Sequence, residues 1–309
     1  MSSPGTSPAT SREGITGPVT PVIGVFDSGF GGLTVLRALV ARLPQARFAF
    51  LGDTARLPYG SKSRRTIARY AAQSAQFLVR EQSAEFLVIA CNTASALALD
   101  AIQDAVPVPV LGVIEPGAAA ARAASRTGDV LVIATDATVQ SHAYAAACRA
   151  QGLRALEKAC PLLVPLVEEG WIDHPVTAQV IRIYLDELTA EAAAQGLNPD
   201  TLVLGCTHYP LLRPLLERVI ARAVPAGIRV IDSAEAVAEA AVRQFGGRVF
   251  SYGPDAPSAA GTGAELNTQP APGPALRCFA TDSVEKFELL GSRFLERPVG
   301  KVELIDLGG

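Results

Sequence analysis

The sequence predicts an α/β fold in which mostly parallel sheets are covered by helices on both faces. Short apolar runs of five to eight residues alternate along the chain with longer amphipathic stretches. The short runs are apolar at every position, as expected of strands buried on both faces of a parallel sheet. The chain has 309 residues, of which 49% are hydrophobic and 18% charged, so it is long and apolar enough for two domains with separate cores.

The expected elements follow in chain order. Strands are predicted where apolar and β-branched residues cluster, at 22–26, 47–51, 86–90, 108–113, 130–134, 202–205 and 228–231. Helices are predicted where apolar residues recur at helical spacing, at 33–43, 64–80, 94–105, 176–194 and 211–223. Proline and glycine crowd residues 253–274, which predicts a loop. A strand at 277–280 and a helix at 284–295 then return the chain to an ordered body.

Composition and charge exclude several classes of protein. The formal net charge is −3 and basic residues form no block, so nucleic acid is not an expected partner. No apolar run reaches the roughly 18 residues of a membrane span. Residues 1–20 are rich in Ser, Pro, Thr and Gly without an apolar segment, which predicts a disordered tail and no secretory signal. We therefore expect a cytoplasmic protein that does not associate with membranes.

The five cysteines are odd in number, widely spread and without a C-x-x-C pair, which argues against a disulfide scaffold or a structural zinc site. Two of the cysteines lie in segments that have the same sequence pattern. Residues 88–93 and 203–208 each combine an apolar strand, one small residue, a cysteine, and polar residues that lead into a helix. Ligands of open α/β sheets bind beyond such strand ends.

A helix N-terminus stabilises negative charge, so a thiol placed there is expected to have a lowered pKa. We therefore expect Cys91 and Cys206 to be partly ionised and to face each other across a cleft. Such a pair could bracket a carbon atom, one thiol removing a proton and the other delivering one to the opposite face. The remaining cysteines, Cys148, Cys160 and Cys278, are interpreted as buried apolar side chains.

A third strand end carries Asp27 and Ser28, followed by the glycines that precede the helix at 33–43. The two side chains could contact a ligand, or they could simply cap that helix. The segment does not match the G-x-G-x-x-G dinucleotide fingerprint. Asp53 is interpreted as a turn or capping residue, and the segment Pro58-Tyr59-Gly60-Ser61 as a turn.

His208 follows Cys206 by two residues, close enough to serve as an acid–base partner of that thiol. His142 and His174 have no such neighbour and are assigned to a helix face and a loop. Glu168, taken alone, is interpreted as a solvated charge at the end of a helix.

Together, several motifs resemble those of the bacterial glutamate racemases. They are Asp27-Ser28-Gly29, Pro58-Tyr59-Gly60, Cys91-Asn92-Thr93, Ala159-Cys160-Pro161-Leu162 and Gly205-Cys206-Thr207-His208-Tyr209-Pro210. The resemblance extends from about residue 23 to residue 304. It implies two pseudo-symmetric α/β lobes with the active site in the cleft between them. The first lobe would comprise residues 21–113 and 231–309, and the second residues 114–230.

The resemblance further implies interconversion of L- and D-glutamate without pyridoxal phosphate, metal or any other cofactor. Members of this family supply D-glutamate for peptidoglycan and form homodimers, so both properties are expected here.

By the same resemblance, Cys91 and Cys206 are the two catalytic thiols. Asp27 would assist Cys91, His208 would be the partner of Cys206, and Glu168 would polarise that histidine. The residues implied to hold the substrate are Asp27, Ser28, Tyr59, Gly60, Asn92, Thr93, Thr135, Thr138, Thr207 and His208.

Three other readings remain open from the sequence. The nearest is another cofactor-independent two-cysteine enzyme, such as an aspartate racemase, a hydantoin racemase or a maleate isomerase. The second is a non-catalytic binding protein that keeps the fold, for example an inhibitor of DNA gyrase. The third is a thiol redox enzyme in which Cys91 and Cys206 form a disulfide.

Overall fold

The computed structural model describes residues 20–224, 227–250 and 275–308. The expected loop at 253–274 lies outside the described residues, and so does the expected tail at 1–20 except for residue 20.

The described residues form ten strands. They are β1 (Val22–Asp27), β2 (Arg47–Gly52), β3 (Ala84–Ile89), β4 (Val110–Gly112), β5 (Asp129–Ala134), β6 (Arg154–Ala159), β7 (Thr201–Gly205), β8 (Arg229–Asp232), β9 (Leu276–Ala280) and β10 (Val302–Leu304).

Twelve α-helices connect and cover these strands within the described part of the chain. They are α1 (Leu33–Arg42), α2 (Arg64–Arg80), α3 (Asn92–Leu97), α4 (Leu99–Ala105), α5 (Ile114–Ala124), α6 (Asp136–Ser141), α7 (Ala143–Ala150), α8 (Leu163–Glu168), α9 (Pro175–Ala194), α10 (Arg213–Ala223), α11 (Ser233–Phe250) and α12 (Val284–Leu295).

The first sheet has six strands in the order β10-β9-β2-β1-β3-β4, and all of its pairs are parallel. The chain leaves β1 for β2 on one side and later reaches β3 on the other side. This reversal creates a crevice beyond the carboxyl ends of β1 and β3, the usual position of a ligand in such a sheet. Asp27 is the last residue of β1, and Cys91 lies two residues beyond β3.

The second sheet repeats this arrangement with four parallel strands in the order β6-β5-β7-β8. Here the strand order reverses between β5 and β7. Thr135 follows β5 and Cys206 follows β7 directly. The similar segments 88–93 and 203–208 therefore occupy equivalent positions in the two sheets. Each cysteine follows the strand that lies beside the first strand of its sheet.

One hydrophobic core connects the two sheets. Val25 of β1, Val132 of β5, Leu204 of β7 and Phe245 of α11 all belong to a single cluster of buried side chains. Helix α11 packs against α1 on one side and against α5 on the other. A second cluster lies on the other face of the first sheet and includes Phe26. The carboxyl edges of both sheets are thus held by shared packing.

The predicted α/β fold with two mostly parallel sheets is confirmed, and every predicted strand is present within two residues of its expected bounds. Two strands were not predicted. β6 lies at a sheet edge, where its sequence RALEKA is half-exposed and lacks a continuous apolar run. β10 has three residues, too few for a pattern. The helix predicted at 94–105 is interrupted at Ala98, where φ is −137° and ψ is 5°.

The boundaries of the two lobes remain a prediction. The boundary predicted between residues 230 and 231 falls within β8. Among the described helices, none combines the length and apolar character needed to cross a membrane.

Candidate active site

A cavity of about 320 Å³ lies between the carboxyl edges of the two sheets. Its volume is at the lower end of the roughly 300–1,000 Å³ of small-molecule sites. Its wall contains nearly all of the residues expected from the sequence to act on or hold a substrate: Asp27, Ser28, Tyr59, Gly60, Cys91, Asn92, Thr93, Thr135, Glu168, Cys206, Thr207 and His208. Thr138 is the one expected site residue that does not line it.

Cys91 caps the N-terminus of α3. Its Sγ accepts a hydrogen bond from the backbone N–H of Ala94 at 3.4 Å and donates one to Ser28 Oγ at 3.3 Å. Burial, reinforced by the negative charge of Asp27, nevertheless raises the pKa of Cys91 to about 12. The expectation of a lowered pKa is therefore wrong for this thiol, because desolvation outweighs the helix N-terminus.

Asp27 is 1% exposed, and its Oδ2 accepts a hydrogen bond from the backbone N–H of Gly29 at 3.0 Å. Its Oδ1 has no hydrogen-bond partner among the described residues. Burial raises the pKa of Asp27, while the positive charge of His208 acts in the opposite direction. The capping alternative is wrong, since the N-cap residue of α1 is Gly32 and no side chain caps that helix.

Cys206 and His208 lie together at the end of β7, where a short 3₁₀ turn follows the strand. The Cys206 Sγ is 3.9 Å from His208 Nδ1. On the other side of the ring, Nε2 is 3.3 Å from Glu168 Oε1. Burial opposes protonation of His208, but Cys206 and Glu168 outweigh it and raise its pKa to about 10. The site therefore holds an imidazolium beside Cys206.

Glu168 ends α8 and is not a solvated charge, contrary to the interpretation from the sequence alone. Burial opposes its ionisation, but its contacts with His208 and with Lys286 Nζ, 3.5 Å from Oε2, lower its pKa. No local pattern around Glu168 indicates this role, because α8 and the 3₁₀ turn after β7 meet only in the folded chain. The resemblance to a known family, in contrast, predicted that Glu168 lies next to His208, as it does in the structure.

Three threonine hydroxyls form a cluster, and two of these threonines line the cavity. Thr93 Oγ1 is 3.1 Å from Thr135 Oγ1 and 3.3 Å from Thr138 Oγ1, and the last two are 3.0 Å apart. Thr93 belongs to α3, whereas the other two belong to the start of α6. Thr138 is fully buried behind the cavity wall, so the structure places it where it can orient the other hydroxyls.

The Tyr59 hydroxyl is hydrogen-bonded within the protein. It donates a hydrogen bond to Asp53 Oδ2 at 2.6 Å, so its proton is not free for a ligand. Asp53 is fully buried and also accepts a hydrogen bond from Thr281 at 2.9 Å. Asp53 lies in a turn, as predicted: it precedes the short 3₁₀ helix Thr54–Arg56, and its backbone carbonyl accepts a hydrogen bond from the Arg56 N–H at 3.1 Å, although its side chain does not cap that helix.

Gly31 allows the segment after β1 to approach the turn after β7. A Cβ atom at this position would overlap Thr207 Oγ1 and lie 2.7 Å from the His208 ring. The neighbouring Thr34 hydroxyl donates a hydrogen bond to the backbone carbonyl of Thr207 at 3.2 Å. The close approach of α1 to the turn after β7 thus requires a residue without a side chain.

The remaining cysteines and histidines lie outside the cavity. Cys148, Cys160 and Cys278 are buried free thiols, as predicted. His142 joins α6 to α7 with its Nδ1 3.1 Å from Glu157 Oε2, and His174 stacks on Trp171 at the start of α9.

Comparison with known proteins agrees with this geometry. The family model described as Asp/Glu/Hydantoin racemase matches residues 23–241. The glutamate racemase of Koribacter versatilis (strain Ellin345) is 54% identical over 299 residues, which cover 94% of this chain and 98% of that protein.

Two solved structures are similar over almost the whole chain. Glutamate racemase isoform RacE1 of Bacillus anthracis gives a TM-score of 0.78 at 34% identity, covering 93% of this chain and 98% of the other. Glutamate racemase of Francisella tularensis, solved in complex with D-glutamate, gives a TM-score of 0.76 at 32% identity, with the same coverage.

Proposed function

The chain belongs to the Asp/Glu/hydantoin racemase family, and we propose that it is a glutamate racemase that uses Cys91 and Cys206 as its two proton-transfer groups. One observation carries this proposal: two cysteines at equivalent strand ends of different sheets line the same cavity. Similarity to glutamate racemases over more than nine-tenths of the chain supports the choice of substrate.

The cavity offers hydrogen-bond donors for a substrate with two carboxylates. The Asn92 Nδ2 group is buried and has no hydrogen-bond partner among the described residues. Thr207 and two members of the threonine cluster, Thr93 and Thr135, also line the cavity. These donors are held by packed elements, so they can bind a carboxylate without large rearrangement.

Racemisation begins when one cysteine, as the thiolate, removes the Cα proton from one face of glutamate. The electron pair of the broken C–H bond is delocalised into the α-carboxylate, which preorganised donors stabilise. The other cysteine, as the thiol, then donates its proton to the opposite face. After one turnover the first sulfur is protonated and the second is a thiolate, so either enantiomer can be the substrate.

Each sulfur has its own acid–base neighbour. Asp27 and Ser28 lie beside Cys91, and the raised pKa of the buried Asp27 carboxyl suits it to accept and return a proton. His208 lies beside Cys206, and Glu168 keeps it cationic, so that it can stabilise a thiolate or donate a proton. Both pairs are almost completely buried, which excludes water and strengthens these charge interactions.

The same proposal includes a cytoplasmic homodimer that supplies D-glutamate to peptidoglycan. Five buried free thiols suit a reducing compartment. Growth of a D-glutamate auxotroph that expresses this chain tests the metabolic role, and light scattering of the purified protein tests the dimer.

Activity on a panel of amino acids, followed by circular dichroism, tests the enzyme and its substrate. We expect turnover of both glutamate enantiomers and much slower turnover of aspartate, hydantoins and maleate. Cys91→Ser and Cys206→Ser should each abolish turnover, whereas Cys148→Ser, at a buried thiol outside the cavity, should retain it. Faster turnover of aspartate than of glutamate, or near-normal turnover by either active-site variant, would contradict the proposal.

A further inference from the structure

We propose that Tyr144 is a positioning residue that holds the Asn92 side chain with its Nδ2 group toward the substrate. This inference rests on the proposed function and adds to it a residue that the sequence motifs do not indicate. Tyr144 lies in α7 of the second sheet's layer, 52 positions along the chain from Asn92.

The contact between Tyr144 and Asn92 connects a helix beside the second sheet to a helix beside the first sheet. The Tyr144 hydroxyl donates a hydrogen bond to Asn92 Oδ1 at 2.7 Å. Asn92 is 3% exposed and Tyr144 is fully buried. Asn92 lines the cavity, and its Nδ2 has no hydrogen-bond partner among the described residues. A buried amide donor without a partner is unfavourable unless a ligand supplies an acceptor.

The Tyr144 ring is fixed in a slot between two glycines. A Cβ atom at Gly117 in α5 would lie 3.3 Å from the ring and 3.4 Å from the hydroxyl oxygen. A Cβ atom at Gly205 would lie 3.0 Å from the other side of the ring. Since Gly205 directly precedes Cys206 and Asn92 directly follows Cys91, Tyr144 contacts both copies of the cysteine motif.

The Tyr144 hydroxyl determines which atom of the Asn92 side-chain amide faces the substrate. Burial raises the pKa of Tyr144, so the hydroxyl stays protonated and remains a donor. A donor facing Oδ1 favours one of the two amide orientations, in which Nδ2 points away from Tyr144. The cavity then presents N–H groups, which attract a carboxylate oxygen and do not accept a hydrogen bond from an ammonium group.

The test is a double-mutant cycle on glutamate affinity, measured by calorimetry on the whole chain. Tyr144→Phe removes the hydroxyl alone and should weaken glutamate binding about tenfold, with KM raised similarly and kcat changed less than about twofold. In an Asn92→Ala background the same substitution should have no further effect, because the group through which Tyr144 acts is gone. Tyr184→Phe, which removes a half-buried hydroxyl outside the cavity, is the matched control and should leave affinity unchanged.

An equal loss of affinity from Tyr144→Phe in both backgrounds, or a fall in kcat without a change in KM, would overturn the inference. If Tyr144→Phe does not fold, Gly117→Ala replaces it, since the added methyl group crowds the same hydroxyl; it should then raise KM in the same direction, and an unchanged KM would count against Tyr144. Turnover of glutamate by the unmodified chain is measured first and tests the proposed function separately. If the chain racemises glutamate but the effects of Tyr144→Phe and Asn92→Ala on affinity are additive, only the role of Tyr144 is refuted.

Discussion

Asp27 opposes the ionisation of Cys91. The two groups are buried at adjacent strand ends, and after burial itself the negative charge of Asp27 is the main cause of the raised pKa of Cys91. The carboxylate therefore cannot activate this thiol by its charge. It can do so only by accepting the proton, which its own raised pKa allows.

Replacing Asp27 with asparagine should separate thiol reactivity from turnover. Without the like charge the pKa of Cys91 falls, so iodoacetamide should modify Cys91 faster at pH 8. Racemisation should nevertheless fall by about 100-fold or more, because the proton acceptor is lost. Mass spectrometry of the modified peptide gives the first rate and circular dichroism the second. Cys206, modified in the same sample, is the internal control; slower modification of Cys91 or retained turnover would refute the role of Asp27.

Glu168→Gln should shift the alkaline limb of the pH–rate profile. Glu168 contributes to the raised pKa of His208, which is about 10, so the imidazolium persists into alkaline solution. Removing the carboxylate charge lowers that pKa, and the cation is then lost at a lower pH. We expect the alkaline limb of kcat to move down by about one pH unit. Glu169→Gln, at the exposed neighbouring position, should leave it in place; an unmoved limb in Glu168→Gln would show that this ion pair does not set the proton affinity of His208.

Gly31→Ala tests the close approach of the two strand ends. The added methyl group would displace Thr207 and the His208 ring, and misplacement by about 1 Å can reduce turnover about 100-fold. The clash is with side chains at the cavity edge, so the protein should still unfold cooperatively on heating. Apart from its chain neighbours and the backbone of its own helix, an added Cβ at Gly247 in α11 would meet none of the described atoms within 4 Å, which makes Gly247→Ala the control. Wild-type kcat in Gly31→Ala would mean that the turn after β7 can move without loss of function.

The fold could be predicted because its central strands are buried on both faces and carry continuous apolar runs. β5, for example, is buried at all six positions. β6 escaped prediction because it lies at a sheet edge, where five of its six positions are exposed or half-exposed and charged side chains occupy three of them.

The two cysteines proposed to transfer protons could be predicted from their neighbours, since the strand, the small residue and the polar turn are local features. Glu168 and Tyr144 could not be predicted in this way. Each contacts its partner across a long stretch of chain, and neither stands in a local pattern that distinguishes it from an ordinary helix residue. The raised pKa of Cys91 was missed for a related reason, because desolvation depends on the whole fold and the helix N-terminus can be read from a few residues.

The most direct test of the two-thiol mechanism is the fate of deuterium when L-glutamate is racemised in deuterated water without added cofactor. Two separate proton-transfer groups predict that, early in the reaction, the D-glutamate formed carries deuterium at Cα while the remaining L-glutamate keeps its proton. Proton NMR of both enantiomers measures this. Protium retained in the product, or deuterium entering the remaining L-glutamate as fast as product forms, would contradict the account, because a single shared base would then serve both faces.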